Sequence, residues 1–395
     1  MEQTLNQMNP WWEKNNFETG IIRNKYLKNL LLHLEKKEII FITGLRRIGK
    51  TTLLKQVINH LLNSVEANKI LYVTLDFFLF KDKSLHQIIQ EFRKLHMHKI
   101  SEKIYLFLDE ITQIKDFEKE LKNLYDLENV KIYASSSSAS LIKSKESYLV
   151  GRSRLIEVLP LDFEEFLLFN NLKVSKADSH LLKKYFEDYL KMGGLPEYVL
   201  TKDTSYIKNT IEQIIYKDVI ALHHIKDKDS VEKLFILLCE RAGKKFSYSK
   251  LARILGISVD TVRRFISYFK DVFLFYTIDK YAKSLNERTF SPKKIYIADI
   301  GIKNVFAGFK DKGSLFENLV FLKIKDKNPR YYFEHGKEID FIVNNTAIET
   351  KYKNVIEEKE LKFFNKAKFK RKILISNFEE LKNIIMQLEK TDVQK

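Results

Sequence analysis

Residues with the types and spacing for chemistry gather at three places in the chain. The first is Gly44-Leu45-Arg46-Arg47-Ile48-Gly49-Lys50-Thr51, which fits G-x-x-x-x-G-K-[ST]. Its glycines let backbone N–H groups close around phosphate oxygens. Lys50 reaches the terminal phosphates, and the Thr51 hydroxyl can ligate Mg²⁺. Arg47 and Thr52 are expected with Gly44 and Gly49 among the nucleotide contacts.

The second is Lys103-Ile104-Tyr105-Leu106-Phe107-Leu108-Asp109-Glu110, an apolar run ending in two acids. Asp109 would hold Mg²⁺ through its water shell. Glu110 would polarise the attacking water, the step that separates an ATPase from a nucleotide binder. Two solvated acids closing a strand are the plain alternative. Downstream, Asn129–Ala134 runs into Ser135-Ser136-Ser137-Ser138. A hydroxyl there would bond the γ-phosphate or the lytic water, or the serines would simply turn the chain. Gly151-Arg152-Ser153-Arg154 then offers an arginine to a phosphate of this subunit or of a neighbour.

The third lies near the C-terminus. Glu317 falls in the apolar helical run Ser314–Leu322, Asp340 in the strand-like Glu338–Val343, and Glu349 and Lys351 in Ala347–Lys351. Residues two apart on a strand share a face, so Glu349 and Lys351 point the same way, and a hairpin would bring Asp340 beside them. Two or three acids on Mg²⁺ or Mn²⁺, with a lysine orienting water, can hydrolyse a phosphodiester. The order resembles the endonuclease motif D…(D/E)-x-K. Ser314-x-x-Glu317 is also a capping box, which would explain Glu317 without metal.

These groups need elements to place them. Glu38–Thr43 reads as a buried strand leading into the glycine loop, and Leu53, Leu54, Val57, Ile58, Leu61 and Leu62 recur at helical spacing behind it. Lys69–Asp76 is a further strand, whose Asp76 either supports Mg²⁺ or caps a turn. Trp11 and Trp12 either pack on an adenine or staple the N-terminal arm. Tyr248–Leu255, Gly256 and a longer helix with Val262, Phe265, Ile266 and Phe269 on one face form a helix-turn-helix pattern, with Phe273–Ile278 as a wing strand. Its other face carries Arg263, Arg264 and Lys270, suited to DNA phosphates; packing or protein contact is the alternative.

The 395 residues suggest more than one domain, and an apolar share of 45% suits a sizeable core. A net charge of +17 attracts polyanions, DNA among them, or reflects a lysine-rich composition. The single cysteine, Cys239, has no disulfide partner within the chain. That and a polar start without a signal-peptide pattern lead us to expect a cytoplasmic setting. No apolar run has the length of a membrane span.

Taken together, Gly44 through Leu54, Leu108-Asp109-Glu110, the serine run, Gly151-Arg152 and Pro160-Leu161-Asp162-Phe163-Glu164-Glu165-Phe166 resemble the AAA-type ATPases, common in archaea and bacteria, that carry a long C-terminal extension ending in a restriction-endonuclease-like domain. Gly193-Gly194-Leu195-Pro196-Glu197 resembles the opening of that extension. The resemblance implies ATP and Mg²⁺, a sensor serine (Ser135 or Ser136, with Ser136 taken here), and Arg152 as an arginine finger, which in trans requires a homo-oligomer. Ala134 stands where the family has glycine. The expected fold is α/β: a P-loop NTPase parallel sheet with helices on both faces over residues 1–171, a helical region with a winged helix over 172–285, and a small α/β endonuclease-like domain over 286–395. The expected function is an ATPase acting on or at DNA, with a candidate metal-dependent nuclease domain. The runner-up is a nucleotide-dependent switch or scaffold whose C-terminal domain cuts nothing.

Overall fold

The computed structural model describes residues 1–13, 17–138, 149–175, 177–352 and 357–389. The chain forms two compact units, Met1–Leu159 with Asp271–Phe273, and Pro160–Lys270 with Leu274–Lys395.

The first unit is built on five parallel strands: β1 (Ile39–Thr43), β2 (Ile70–Thr74), β3 (Ile104–Asp109), β4 (Val130–Ser136) and β5 (Ser153–Glu157), in the order β2-β3-β4-β1-β5. β1, β3 and β4 are buried along their whole length, as strands covered on both faces must be, which is why they read as unbroken apolar runs. Thr43 pairs with Ser136, Leu108 with Ala134 and Thr74 with Asp109, so the C-terminal ends of four strands lie level. Open α/β sheets place ligand sites at that end.

β2 is an edge strand, and the N-terminal arm covers it. Asn9 is fully buried; its side-chain amide donates to Tyr72 O (2.9 Å), and its Oδ1 accepts from Tyr72 N (2.6 Å), imitating one rung of a further strand. Both indoles donate to Ile70 O, Trp11 at 3.3 Å and Trp12 at 3.0 Å. Ile70 begins β2, at the end away from the glycine loop. The tryptophans therefore staple the arm and do not pack on an adenine at that loop.

The second unit contains two sheets. β6 (Lys244–Phe246), β7 (Phe275–Ile278) and β8 (Lys293–Ile297) pair antiparallel in the order β6-β8-β7, beside helices Lys228–Glu240, Tyr248–Leu255 and Val259–Asp271. After the helix Lys312–Ile324 come β9 (Arg330–Glu334), β10 (Lys337–Val343), β11 (Thr346–Thr350) and β12 (Arg371–Ile375), in the order β12-β11-β10-β9. β11 and β12 are parallel, with helix Glu358–Lys366 between them in sequence; the other pairs are antiparallel.

The compact units part the chain differently from the expected three-way division in two places. The first unit closes at Leu159, earlier than 171. A boundary at 285/286 would also split β8 from β6 and β7, to which it is hydrogen-bonded on both sides. One apolar core joins Phe163, Phe166, Phe186, Tyr296, Phe316 and Phe341, binding the helices after Pro160 to the C-terminal sheet.

Candidate functional site

The glycine loop adopts the backbone its sequence calls for. Gly49 has φ 97° and sits just before helix Lys50–Leu61. Gly44 has φ 139°, and a Cβ there would lie 2.3 Å from Val158 O, so only glycine fits. Arg47 also takes a positive φ, 60°. Lys50 is 6% exposed, and its ammonium donates to Gly44 O and Leu45 O, each at 3.1 Å. It is thus curled over the loop whose backbone would face the phosphates.

Across β4, Asp109 is held on both oxygens. Thr51 Oγ1 donates to Oδ2 at 2.6 Å, Tyr72 OH donates to Oδ2 at 2.9 Å, and Ser135 Oγ donates to Oδ1. Thr51 and Asp109 supply hard oxygen donors side by side, a pair that fits Mg²⁺. Glu110 follows in a left-handed conformation, φ 53°, which a non-glycine residue adopts only when its surroundings impose it. Its N–H donates to Ser135 Oγ at 3.0 Å, and its carboxylate accepts from Ser137 Oγ at 3.2 and 3.4 Å. Burial pushes the Glu110 carboxyl up, Lys50 pulls it down, Asp109 pushes it up, and Arg46 and the Ser137 bond pull it down; the net direction is up.

One sequence expectation changes here. Ser136 Oγ lies 3.3 Å from Thr112 Oγ1 and accepts from Ser138 N; Ser135 contacts Asp109, and Ser137 contacts Glu110. Strand alternation puts Ser135 and Ser136 on opposite faces of β4, and Ser137, just past its end, comes back to the side of Glu110. Ser137 and Tyr72 were both missed. The alternation was there to be read for Ser137; no local signal marks Tyr72. Asp76 accepts from Thr74 Oγ1 at 2.5 Å and is exposed, which fits the turn reading.

Arg152 is not at this site within its own chain. Ser153 pairs with Ile39, and Arg152 O accepts from Ile39 N at 2.7 Å, so Arg152 lies at the start of β1. The glycine loop leaves from the other end, about 13 Å away along the strand. Arg152 pairs instead with Asp126 at 3.0 Å.

Helix Val259–Asp271 buries Val262, Phe265, Ile266 and Phe269 and exposes Asp260, Arg263, Arg264, Ser267 and Lys270. Arg263 lies over the Tyr248 ring (5.3 Å to the centroid) and 3.8 Å from Asp260, and Arg264 donates to Thr261 Oγ1 at 3.4 Å. The expected DNA-facing residues therefore do share one open face.

The C-terminal acids converge, but on a lysine. The hairpin β10–β11 turns on Asn344 and Asn345, both with positive φ, and places Asp340 beside Thr350, whose N and Oγ1 donate to Asp340 Oδ2 at 2.9 and 2.7 Å. Glu317 comes from helix Lys312–Ile324. Lys294 of β8, 2% exposed, puts its ammonium 2.6 Å from Glu317, 2.6 Å from Glu338 and 3.1 Å from Asp340. Burial works against the charge on Lys294, but these acids hold its pKa well above the ordinary value. Glu317 also accepts from Tyr296 OH at 2.7 Å, and its carboxyl is pushed up to about 8 by burial and Asp340, against the pull of Lys294. Glu349 is pushed up by burial and Asp340; its nearest cation is Lys351 at 3.4 Å, itself shared with Glu360 at 3.0 Å. Among the described residues no group of acids, histidines and cysteines is arranged to hold a metal ion. The expected second Mg²⁺ or Mn²⁺ on Glu317, Asp340 and Glu349 does not fit, because an ammonium stands between Glu317 and Asp340. Among the described residues no helix is long and apolar enough to cross a membrane.

Comparison with known proteins agrees with the first unit. Residues 36–167 match the family described as an AAA domain, and residues 183–313 match a domain of unknown function. The uncharacterized protein MJ1544 of Methanocaldococcus jannaschii is 30% identical over 371 residues, covering 86% of this chain and 81% of that one. An uncharacterized protein of Haemophilus influenzae is 28% identical, covering 82% and 83%. Among solved structures, AMPPCP-bound DnaA from Aquifex aeolicus is similar at 21% identity and a TM-score of 0.28, over 67% of this chain and 92% of that one. The Drosophila ORC structure with AT-rich DNA and Cdc6 is similar at 13% identity and a TM-score of 0.25, over 78% and 94%. This chain belongs to the same family as MJ1544 and carries a P-loop AAA-type domain.

Proposed function

We propose that the chain is a Mg²⁺-dependent ATPase that acts at duplex DNA. One observation carries the hydrolytic part: Lys50, Thr51, Asp109, Glu110 and Ser137 converge at the C-terminal end of one parallel sheet. Mg²⁺ held by Thr51 and Asp109 would neutralise charge on the terminal phosphates. Lys50 would leave the two loop carbonyls for those phosphates. Glu110, braced by Ser137 and raised in pKa, would orient the lytic water and take its proton. Arg152, far from its own loop, would serve the nucleotide of a neighbouring copy, which makes a homo-oligomer part of the reading.

The DNA part rests on the order of elements from Lys228 to Ile297. Helix, strand, two helices joined at Gly256, a strand, the short helix Leu285–Phe290 and a final, central strand would, that short helix apart, follow the order of a winged helix. Arg263, Arg264 and Lys270 on the open face of the second of these two helices would grip phosphates, and a chain of net charge +17 would be drawn to them. The β9–β12 sheet with its helices would be the endonuclease-like part, but Glu317 and Asp340 are engaged by Lys294 and Glu349 by Lys351. That observation favours the runner-up for this part of the chain, a platform that binds and does not cut. The buried thiol of Cys239 suits a cytoplasmic setting.

The test pairs two assays. ATP turnover is measured for wild type and Glu110→Gln, and duplex binding is measured across a salt series for wild type and the double substitution Arg263→Ala with Arg264→Ala. Loss of turnover in Glu110→Gln, with a salt slope shallower by about 2 in the double variant, is expected. Duplex affinity that ignores salt would sink the DNA reading and leave a nucleotide-driven switch.

A further inference from the structure

The acidic cluster of the C-terminal sheet invites a metal, and the structure supplies a different cation. An ammonium has three N–H donors and no acceptor. Lys294 finds one carboxylate for each: Glu317 and Glu338 at 2.6 Å and Asp340 at 3.1 Å. Glu338 and Asp340 are engaged on both oxygens, and Glu317 Oε1 takes a second donor. Glu317 accepts from Tyr296, Glu338 pairs with Lys245 at 2.7 Å, and Asp340 Oδ2 accepts twice from Thr350. A divalent ion bridging Glu317 and Asp340 would have to displace the ammonium and break this set.

The backbone keeps Lys294 where it is. β8 is the middle strand of its sheet, bonded to β6 and β7, and Lys294 pairs with Lys245 on one side and Ile278 on the other. Asn318, one residue after Glu317, donates to Ile297 O at 2.8 Å and accepts from Ile297 N at 2.9 Å, tying the acid-bearing helix to the same strand. The lysine and its acids are thus anchored on elements that are themselves bonded together.

We propose that Lys294 is the resident cation of this endonuclease-like centre, standing where a divalent ion would stand, and that the acids serve to lock the β6-β8-β7 sheet onto the β9–β12 sheet. The centre takes no Mg²⁺ or Mn²⁺ in the native chain. This goes beyond the ATPase reading and does not depend on it, because the site shares no residue with the glycine loop.

The test is a titration of the full chain with Mn²⁺ alone, free ion being followed by electron paramagnetic resonance. Wild type is compared with Asp340→Asn, Lys294→Met and the double substitution. The expected result is an equal number of sites in wild type and Asp340→Asn, one additional site in Lys294→Met, and loss of that site in the double variant. A site in wild type that Asp340→Asn removes would overturn the proposal. So would a folded Lys294→Met, checked by circular dichroism, that gains no site. If Lys294→Met does not fold, Lys294→Gln, which keeps an N–H donor, takes its place, and the wild type against Asp340→Asn comparison decides without either.

Discussion

Thr51 Oγ1 and Asp109 Oδ2 lie 2.6 Å apart, although β4 separates the strands that lead to them. The two residues act on one ion in the proposed chemistry, so their losses should not add. Thr51→Ala and Asp109→Asn are each expected to lower Mg²⁺-dependent turnover by about 100-fold, and the double variant to be little worse than the weaker single. Steady-state ATPase rates across Mg²⁺ concentrations check this. Losses that multiply would mean the residues serve separate steps.

Glu110 and Ser137 give a second prediction with a sign. Glu110→Gln should keep nucleotide binding and lose turnover by roughly 10²- to 10⁴-fold. Ser137 donates to the Glu110 carboxylate and so helps hold its pKa down. Ser137→Ala should therefore raise that pKa and move the acid limb of the pH–rate profile to higher pH. Ser136→Ala, whose hydroxyl faces Thr112, should leave the limb in place. A limb that moves with Ser136 and not with Ser137 would reverse the assignment.

Arg152 separates action within a chain from action between chains. Its place at the start of β1 predicts that specific ATPase activity rises with protein concentration, and that Arg152→Ala removes most of that rise. Mixing Arg152→Ala with Glu110→Gln should restore activity, since the first lacks only the finger it donates and the second only its own base. No recovery on mixing, in proteins shown to associate by light scattering, would end the arginine-finger reading.

What was legible in the sequence follows the reach of each interaction. The glycine loop, the acids after β3 and the Asp340–Glu349 hairpin lie in short contiguous stretches, and each stretch carries its own signal in glycine position, apolar run or alternation. Ser137 was within reach of the same alternation that placed Glu349 and Lys351 together. Lys294 was not, because its acids Glu317, Glu338 and Asp340 come from two later elements, a helix and β10, and a lysine at the start of a short strand looks like a solvated residue until the fold buries it. Asn9 is similar. A polar residue before Pro10 reads as a turn former, and only the bare edge of β2, 63 residues away, explains its burial.

That edge makes Asn9 a stability prediction. Asn9→Ala would leave Tyr72 N–H and C=O without the partner they have now, at a position where Asn9 is fully buried. A buried backbone group without a partner costs about 1–3 kcal/mol. A loss of roughly 2–4 kcal/mol in urea unfolding is expected from the pair. A loss near zero would show that water reaches the edge once the amide is removed.

Asp299 sets a pH dependence in the second unit. Its carboxylate is buried, and its oxygens accept from Gly194 N at 2.6 Å and from Ile302 N at 3.1 Å. The Gly193-Gly194 turn is closed down on it so tightly that a Cβ on Gly193 would lie 2.5 Å from Asp299 Oδ1. Burial pushes the carboxyl up from 3.8 to about 6, against the pull of the Gly194, Ile302 and Gly301 N–H groups. In the unfolded chain the proton leaves near pH 4; in the folded chain it stays until about pH 6. Between those values the folded state binds more proton, so this group's stabilisation is complete below pH 4 and is lost as pH rises through 6, by roughly 3 kcal/mol in all. Denaturant midpoints measured from pH 4.5 to 7.5 should therefore fall more steeply with pH in wild type than in Asp299→Asn. Parallel curves would mean that the Gly194 and Ile302 bonds hold Asp299 ionised at the lower pH as well.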